Sequence, residues 1–201
     1  MTTNNSCNFT LGASGKVLTS TGTATSPTFQ PYPEGSWIFI EKKTASASAT
    51  LDFTTGITST YTTYALVLSA LIPSTTSSLQ IQLSNDGGSS WLATNYLSGF
   101  LNNDYNSATI SNANSTTQVL VSTGTQPTSQ GVSGIIYLYN ITTSSQPVIR
   151  TNATYTPTAA SFRAFQTFAT NTATGINAFR LSYLSGNIET GKACLYGIRK
   201  S

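Results

Sequence analysis

Apolar and polar residues alternate with a period of two along several stretches of the chain, the pattern of a β-strand that buries one face. Residues 79–84, LQIQLS, place leucine and isoleucine on one face and glutamine and serine on the other. The segment NDGG follows at residues 85–88, and such residues tolerate the positive φ angles of tight turns. A half-buried strand ending in a turn is predicted here.

Two stretches are apolar on both faces. Residues 37–40, WIFI, alternate aromatic and isoleucine side chains, and residues 64–71, YALVLSAL, end two positions before Pro73. Since a strand in a sandwich normally leaves one face to water, both stretches are predicted to be central strands or to be covered by another copy of the chain. In the second stretch, one face would hold Tyr64, Leu66, Leu68 and Ala70, and the other Ala65, Val67 and Leu71.

Further alternation predicts an all-β head. Residues 44–53, TASASATLDF, alternate without a break, so that Ala45, Ala47 and Ala49 would face inward, and residues 91–97 are predicted to pair with residues 79–84 across the NDGG turn. With the candidates that follow, about nine or ten short strands indicate an antiparallel, jelly-roll-like β-sandwich over residues 36–201. Those candidates are residues 116–122, 134–141, 147–155, 178–184 and 193–198.

Residues 157–169 fit two structures. Phe162, Phe165 and Phe168 are spaced by three, as on a short helix after Pro157. The surrounding aromatic and β-branched residues favour a strand instead. We therefore predict a strand, with the helix as the alternative.

An extended N-terminal arm is predicted over residues 1–35, where Gly and Pro surround the short apolar pair Val17 and Leu18. A segment of this kind is expected to be ordered by packing against a partner. Export by a signal peptide and insertion into a membrane are not predicted, because the chain shows neither a signal-peptide pattern nor a run of about 20 apolar residues.

Regular alternation is lost over residues 98–115, an Asn-rich stretch that we predict to be a long loop. Aromatic faces stack on sugar rings, and amide and carboxylate groups hydrogen-bond sugar hydroxyls. A receptor site for a glycan is therefore predicted in and beside this loop, with the alternative that its aromatic residues close one end of the core. The candidate residues are Tyr96, Phe100, Asn102, Asn103, Asp104 and Tyr105.

The charge composition argues against catalysis. Only 7% of the residues are charged and none is His, so Ser-His-Asp and Cys-His sites are impossible. Asp86 and Asp104 are a candidate glycosidase pair only in that both lie in predicted loops, and Asp86 is better explained as a turn former. We predict that the chain is not an enzyme and holds no metal or cofactor.

The cysteines and the net charge favour neither a disulfide nor a nucleic-acid partner. Cys7 and Cys194 form no CxxC motif, and Cys194 is predicted to be a free buried thiol rather than half of a disulfide. The net charge is only +3, and the Lys and Arg residues of the last quarter are scattered singly. Nucleic-acid binding is not predicted.

Three segments, in order, resemble bacteriophage tail-fibre and related virion appendage proteins. Residues 12–30, GASGKVLTSTGTATSPTFQ, resemble a segment that precedes the β-rich domain of such proteins. Residues 50–91 are similar to their succession of strands ending in Pro and in Asp-Gly-Gly, and residues 185–201 to their closing turn and LYG strand.

The resemblance implies a homotrimer whose N-terminal arm joins other virion structural proteins and whose head meets the host surface. Residues 12–30 would belong to the arm, with Lys16, Val17, Leu18 and Phe29 as attachment residues. The expected function is a non-enzymatic short tail or head fibre, assembled in the host cytoplasm, that attaches the particle to a cell-surface receptor, a glycan in the preferred version. A structural connector, adaptor or decoration protein of the virion and a small lectin unrelated to a virion are the alternatives.

Overall fold

Antiparallel strands form all the regular structure in the part of the chain that the computed structural model describes, residues 14–20, 26–31, 35–105, 110–127, 130–158 and 161–199. Fourteen strands and no helix lie within these ranges. The chain divides into two compact units, Met1–Gly35 and Ser36–Ser201. The strands are β1 (Lys16–Thr19), β2 (Thr28–Pro31), β3 (Trp37–Ser48), β4 (Leu51–Phe53), β5 (Thr63–Pro73), β6 (Leu79–Ser84), β7 (Tyr96–Asp104), β8 (Ile110–Ser115), β9 (Val119–Leu120), β10 (Val132–Tyr139), β11 (Val148–Thr158), β12 (Ser161–Asn171), β13 (Ala178–Tyr183) and β14 (Ile188–Ile198).

The first unit contains a two-stranded antiparallel sheet of β1 and β2. Leu18 lies opposite Phe29, and both side chains are exposed. Leu18 and Phe29 are two of the four predicted attachment residues. The other two, Lys16 and Val17, lie on β1 with Leu18.

The second unit is a sandwich of two antiparallel sheets. The larger sheet has eight strands in the order β3-β14-β5-β10-β11-β12-β7-β8, and the smaller has four in the order β4-β13-β6-β9. The predicted all-β antiparallel sandwich is confirmed. Because eight strands face four, part of the larger sheet extends beyond the smaller one.

The core lies between the two sheets. As predicted, β6 is half-buried: Leu79, Ile81 and Leu83 are fully buried, and the intervening glutamines are only partly buried. From the larger sheet, Leu66 and Ile136 join the same cluster. Full burial of each such side chain contributes about 1.5–3 kcal/mol to folding.

β5 is a central strand, as predicted, between β14 and β10. Its predicted face assignment is wrong at the end, because a β-bulge at Ala70 shifts the register against both neighbours. Ala70 has a φ of 50°, and Leu71 is fully buried rather than on the opposite face from Leu68. The hydroxyl of Ser133 accepts a hydrogen bond from the Ala70 N–H, 3.0 Å away, and so stabilises the bulge.

β3 differs from its prediction as a central strand: it is an edge of the larger sheet, paired only with β14. The predicted unbroken alternation over residues 44–53 is also wrong, because the chain leaves β3 after Ser48 and enters the other sheet as β4. Ala45 faces the core as predicted, whereas Ala47 and Ala49 are exposed. Ala47 has a φ of 49°, which interrupts the period of two.

The predicted long loop over residues 98–115 is wrong for most of its length. Its beginning lies in β7 and its end in β8, and the two strands pair as a hairpin; residues 106–109 lie outside the described ranges. The predicted strand over residues 91–97 starts only at Tyr96, and it pairs with β12 and β8 rather than with β6. In contrast, the strand predicted over residues 157–169 is confirmed by β12 from Ser161 onward, whereas Pro157 and Thr158 end β11 and residues 159–160 lie outside the described ranges.

The NDGG segment forms a structural turn. The Asp86 carboxylate accepts hydrogen bonds from the Ser84 hydroxyl (2.7 Å) and from the N–H (3.0 Å) and hydroxyl (2.6 Å) of Ser90. Gly87 and Gly88 have φ angles of 74° and 89°, which glycine adopts without steric cost. Hydrogen bonds from Ser90 and Ser84 hold the pKa of Asp86 well below its usual range.

Candidate binding surfaces

Two of the six predicted receptor residues serve the core. Tyr96 is fully buried, and its hydroxyl donates to the Leu92 carbonyl (3.2 Å) and accepts from the Leu83 N–H (3.0 Å). Phe100 stacks on the buried ring of Phe165 with centroids 4.8 Å apart. Neither aromatic face is therefore free to meet a ligand.

The other four lie at the end of β7, a region we call the β7 tip: Asn102, Asn103, Asp104 and Tyr105. Asn103 is exposed and Tyr105 is 80% exposed. Side chains alternate along a strand, so Asn102 and Asp104 point to the core side and Asn103 to the opposite side. The predicted residues therefore do not converge on one surface.

Asp104 is held by β12. Its Oδ2 accepts a hydrogen bond from Arg163 Nε at 2.7 Å, and the Ser161 hydroxyl lies 3.4 Å from Oδ1. Burial lowers the pKa of Arg163, but the hydrogen bonds to Asp104 and Tyr155 outweigh burial, so that the pKa is raised overall. The pair stabilises the junction of β7 and β12.

Aromatic side chains cluster on the outer face of the larger sheet, the face turned away from the smaller sheet. Phe39, Tyr196, Ala65 and Tyr137 lie side by side in register across four adjacent strands. The centroid of the Trp37 ring lies 5.7 Å from that of Tyr196 and 6.4 Å from that of Tyr137, and the Phe39 and Tyr196 ring centroids are 5.7 Å apart. We call this cluster, completed by Tyr139 stacked 6.1 Å from Tyr137, the aromatic patch: Trp37, Phe39, Tyr137, Tyr139 and Tyr196.

The aromatic patch is open to solvent and continues across the sheet. Trp37 is 41% exposed and Phe39 56%. In register with Tyr137 lie Arg150 and Phe168, and the Arg150 guanidinium sits 5.4 Å from the centre of the Phe168 ring. The exposed side chains of Val148 and Leu97 extend this apolar surface to β7.

A shallow groove lies on the same face, nearer the other ends of β10, β11 and β12. It consists of a depression of about 320 Å³ and an adjoining one of about 120 Å³, which share Ser133 and Thr154. Gly134 also lines the groove, and it lies in register with the core-facing Ala153; a Cβ there would collide with the Asn152 carbonyl oxygen. Besides Ser133 and Thr154, the outward side chains that line the groove are Asn152, Thr156, Phe162, Ala164 and Gln166.

The outer face of the smaller sheet carries an ion pair. Arg180 donates to both carboxylate oxygens of Asp52, from Nε to Oδ1 at 3.0 Å and from a terminal nitrogen to Oδ2 at 2.6 Å, and it lies 4.1 Å from the Trp91 ring centre. Burial raises the pKa of Asp52, but hydrogen bonds from Arg180 and Thr50 outweigh burial and lower it overall. This cluster stabilises the sheet.

Candidate chemistry is sparse in the described ranges, where no three of Asp, Glu, His and Cys come close enough to hold a metal ion. Cys194 is a free, half-buried thiol, and Cys7 lies outside these ranges. Nor does this part of the chain contain a helix that meets the length and apolarity needed to span a membrane.

Sequence reasoning missed the contribution of β10 and β11 to these surfaces. A usable signal was present in β10, where Ile135, Tyr137 and Tyr139 alternate with Ile136 and Leu138, so that both faces are apolar as in β5. The groove had no comparable signal, because its residues come together only through the strand order.

No protein-family model, curated protein or solved structure matches this chain.

Proposed function

We propose that this chain is a non-enzymatic virion appendage, a short tail or head fibre that attaches the particle to a cell-surface receptor, and that it acts as a homo-oligomer. The observation that carries the proposal is the aromatic patch on an uncovered sheet face. A trimer is the assembly that the sequence resemblance implies.

A second copy of the chain is the occupant that best fits the aromatic patch. Its five side chains carry no charge, so two patches can meet without like-charge repulsion, and their burial removes apolar area from water. With its flank to Leu97, the surface crosses seven strands and measures roughly 34 by 15 Å, or about 500 Å² per copy, at about 4.8 Å per strand. Three copies whose patches meet around one axis would together bury about 1,500 Å², about 500 Å² from each copy.

The N-terminal unit and the head have different roles in this proposal. We assign attachment to other virion proteins to the N-terminal unit, where Lys16, Val17, Leu18 and Phe29 lie on a small exposed sheet. Receptor contact falls to the head, whose surface polar groups are mostly hydroxyls and amides. A structural connector is the second candidate, and the aromatic patch also supports it, since neighbouring virion proteins could cover the patch.

Light scattering on the purified full-length chain tests association. We expect wild type to have the mass of three copies and Phe39→Ser/Tyr196→Ser to be a monomer, because this variant loses two aromatic rings of the patch, the exposed Phe39 and the half-buried Tyr196. Leu184→Ser is the matched control, since Leu184 is 49% exposed but lies outside the patch. A monomeric wild type would contradict the proposal.

Competition for adsorption tests attachment. Host cells preincubated with the purified full-length chain should adsorb fewer particles in a dose-dependent way. A connector predicts no competition, together with failure of particle assembly when residues 36–201 are deleted from the gene.

A further inference from the structure

We infer that the shallow groove on β10, β11 and β12 binds a neutral saccharide; this inference rests on the proposed function and names the ligand class of its receptor contact. The groove is a different surface from the β7 tip, where the sequence predicts the receptor site.

A small residue contributes to the shape of the groove. Ala164 lies opposite Thr154 in register, so the larger side chains around it stand above a low floor. The main depression, about 320 Å³, is at the lower end of the range of roughly 300–1,000 Å³ for small-ligand sites. The site is thus sized for one or two sugar rings rather than for a folded partner.

Neutral hydrogen-bonding groups line the groove. The amides of Asn152 and Gln166 lie directly opposite each other on β11 and β12, and both residues are exposed. Each amide offers a donor and an acceptor, the pairing that sugar hydroxyls require. Two other hydroxyls already have partners within the protein: Ser133 accepts from Ala70 N–H at 3.0 Å, and Thr154 donates to the Ser133 carbonyl at 3.4 Å.

An aromatic ring stands at the rim. Phe162 lines the smaller depression and is 49% exposed. An exposed ring of this kind packs against the apolar face of a sugar, while the amides meet its hydroxyls. Because no Asp, Glu, Lys or Arg lines either depression, the set of groups favours a neutral saccharide over a sialylated or sulfated one.

The groove and the aromatic patch can be used together. Along β11, Arg150 lies beside the patch and Asn152 and Thr154 line the groove, so the two sites are about 7–13 Å apart along the strands. An interface between copies on the aromatic patch would therefore lie beside the groove and leave it open.

Binding of the labelled full-length chain to immobilised oligosaccharides tests the inference. The probes are neutral oligomers of glucose, galactose, mannose and N-acetylglucosamine, beside sialylated and sulfated counterparts. We expect wild type to bind at least one neutral probe and Asn152→Ala/Gln166→Ala to bind it at least about tenfold more weakly, since each lost hydrogen bond is worth about 1 kcal/mol. Ala164→Leu, which fills the groove without removing a polar group, should weaken binding as well.

The controls separate this inference from the proposed function. Gln82→Ala removes a partly buried amide from the smaller sheet and should leave binding unchanged, and thermal unfolding should confirm that every variant is folded. Wild type that binds only charged probes, or no neutral probe, would overturn the groove assignment. So would two groove variants that bind the neutral probe as well as wild type does. If groove variants still compete for adsorption as wild type does, only the groove inference fails; if wild type does not compete, the proposed function fails.

Discussion

Individual carboxylates in this head are fixed by named donors. Asp52 pairs with Arg180, Asp104 with Arg163, and Asp86 closes a turn through Ser84 and Ser90. In a chain with so few charged residues, these carboxylates stabilise local structure. Their hydrogen-bond partners lie at strand pairs and at a turn.

The Asp52–Arg180 pair should make stability depend on pH. Because the folded-state pKa of Asp52 lies below the ordinary value of 3.8, its contribution is present above about pH 4 and is lost as the pH falls through the folded-state value. We expect Asp52→Asn to lower the free energy of unfolding at pH 7 by about 1 kcal/mol, a value that allows for partial exposure of the pair. The difference from wild type should shrink at pH 3.

Urea denaturation of both proteins at pH 7 and pH 3 measures this effect. Glu189→Gln is the control, since Glu189 is an exposed carboxylate on β14. An Asp52→Asn difference of equal size at both pH values would show that the carboxylate charge is not what stabilises the sheet.

Sequence reasoning succeeded at residues whose role is local. The turn role of Asp86 follows from the adjacent glycines, and the structure bears it out. For Tyr96 and Phe100 it left two interpretations open, a receptor site or closure of the core, and the structure agrees with the second. A tyrosine and a phenylalanine among asparagines look the same in the sequence in either environment. Only the position of β7 over Phe165 decides between these environments.

Among the elements, the bulge in β5 depends on a glycine in the neighbouring strand β14. Gly191 of β14 lies against it: a Cβ at this position would lie 2.4 Å from the Ala70 carbonyl oxygen and 2.7 Å from the Leu71 Cα. Its φ of 120° is also unfavourable for other residues. Close packing and backbone conformation therefore both require glycine.

Replacement of Gly191 should separate these two requirements. We expect Gly191→Ala to destabilise the head by about 3 kcal/mol, because the bulge must shift and the backbone is strained. Gly175→Ala is the matched control, since Gly175 has a φ of 66° but nothing within 4 Å of its Cβ position. It should cost only about 1 kcal/mol, the penalty of the left-handed conformation.

Thermal or chemical unfolding of the two variants gives the comparison. Equal losses would mean that backbone conformation alone sets the requirement for glycine, and that the close approach to Ala70 is relieved at no cost.

The elements that sequence reasoning placed well are those covered on one face by the other sheet. β6 alternates because its inner residues meet the larger sheet and its glutamines meet water. β7 and β8 lie at the end of the larger sheet, and β7 carries polar residues on both faces, Asn102 and Asp104 on one and Asn103 on the other. Their hairpin therefore shows no clear period, and its sequence predicts a loop.

For the whole molecule, strand order determines which strands are central and which lie at an edge, and the sequence pattern alone does not distinguish them. Apolar residues on both faces correctly indicated that β5 is central, but the same pattern in β3 belongs to an edge strand whose outer side chains join the aromatic patch. The distinction depends on the insertion of β14 between β3 and β5, a pairing between residues more than 100 positions apart.

Removal of β14 should abolish cooperative folding. A chain that ends at Asn187 leaves β3 unpaired and uncovers one side of β5, and it loses the buried side chains of Ile188, Ala193 and Leu195. We expect no cooperative thermal transition for it, whereas a chain of residues 36–201 should keep one, since the described core lies entirely within that unit. Circular dichroism during heating measures both; a cooperative transition in the truncated chain would contradict this expectation.

The position of β14 also sets the order of events during synthesis. On the ribosome, β3 and β5 emerge more than a hundred residues before the strand that joins them, so the larger sheet remains open until Ile188–Ile198 leaves the exit tunnel. Closing so long a segment is entropically costly, and sheets built from distant pairings form slowly. The head therefore acquires its final sheet only after translation has passed β14, and until then the edges of β3 and β5 that β14 will pair are open.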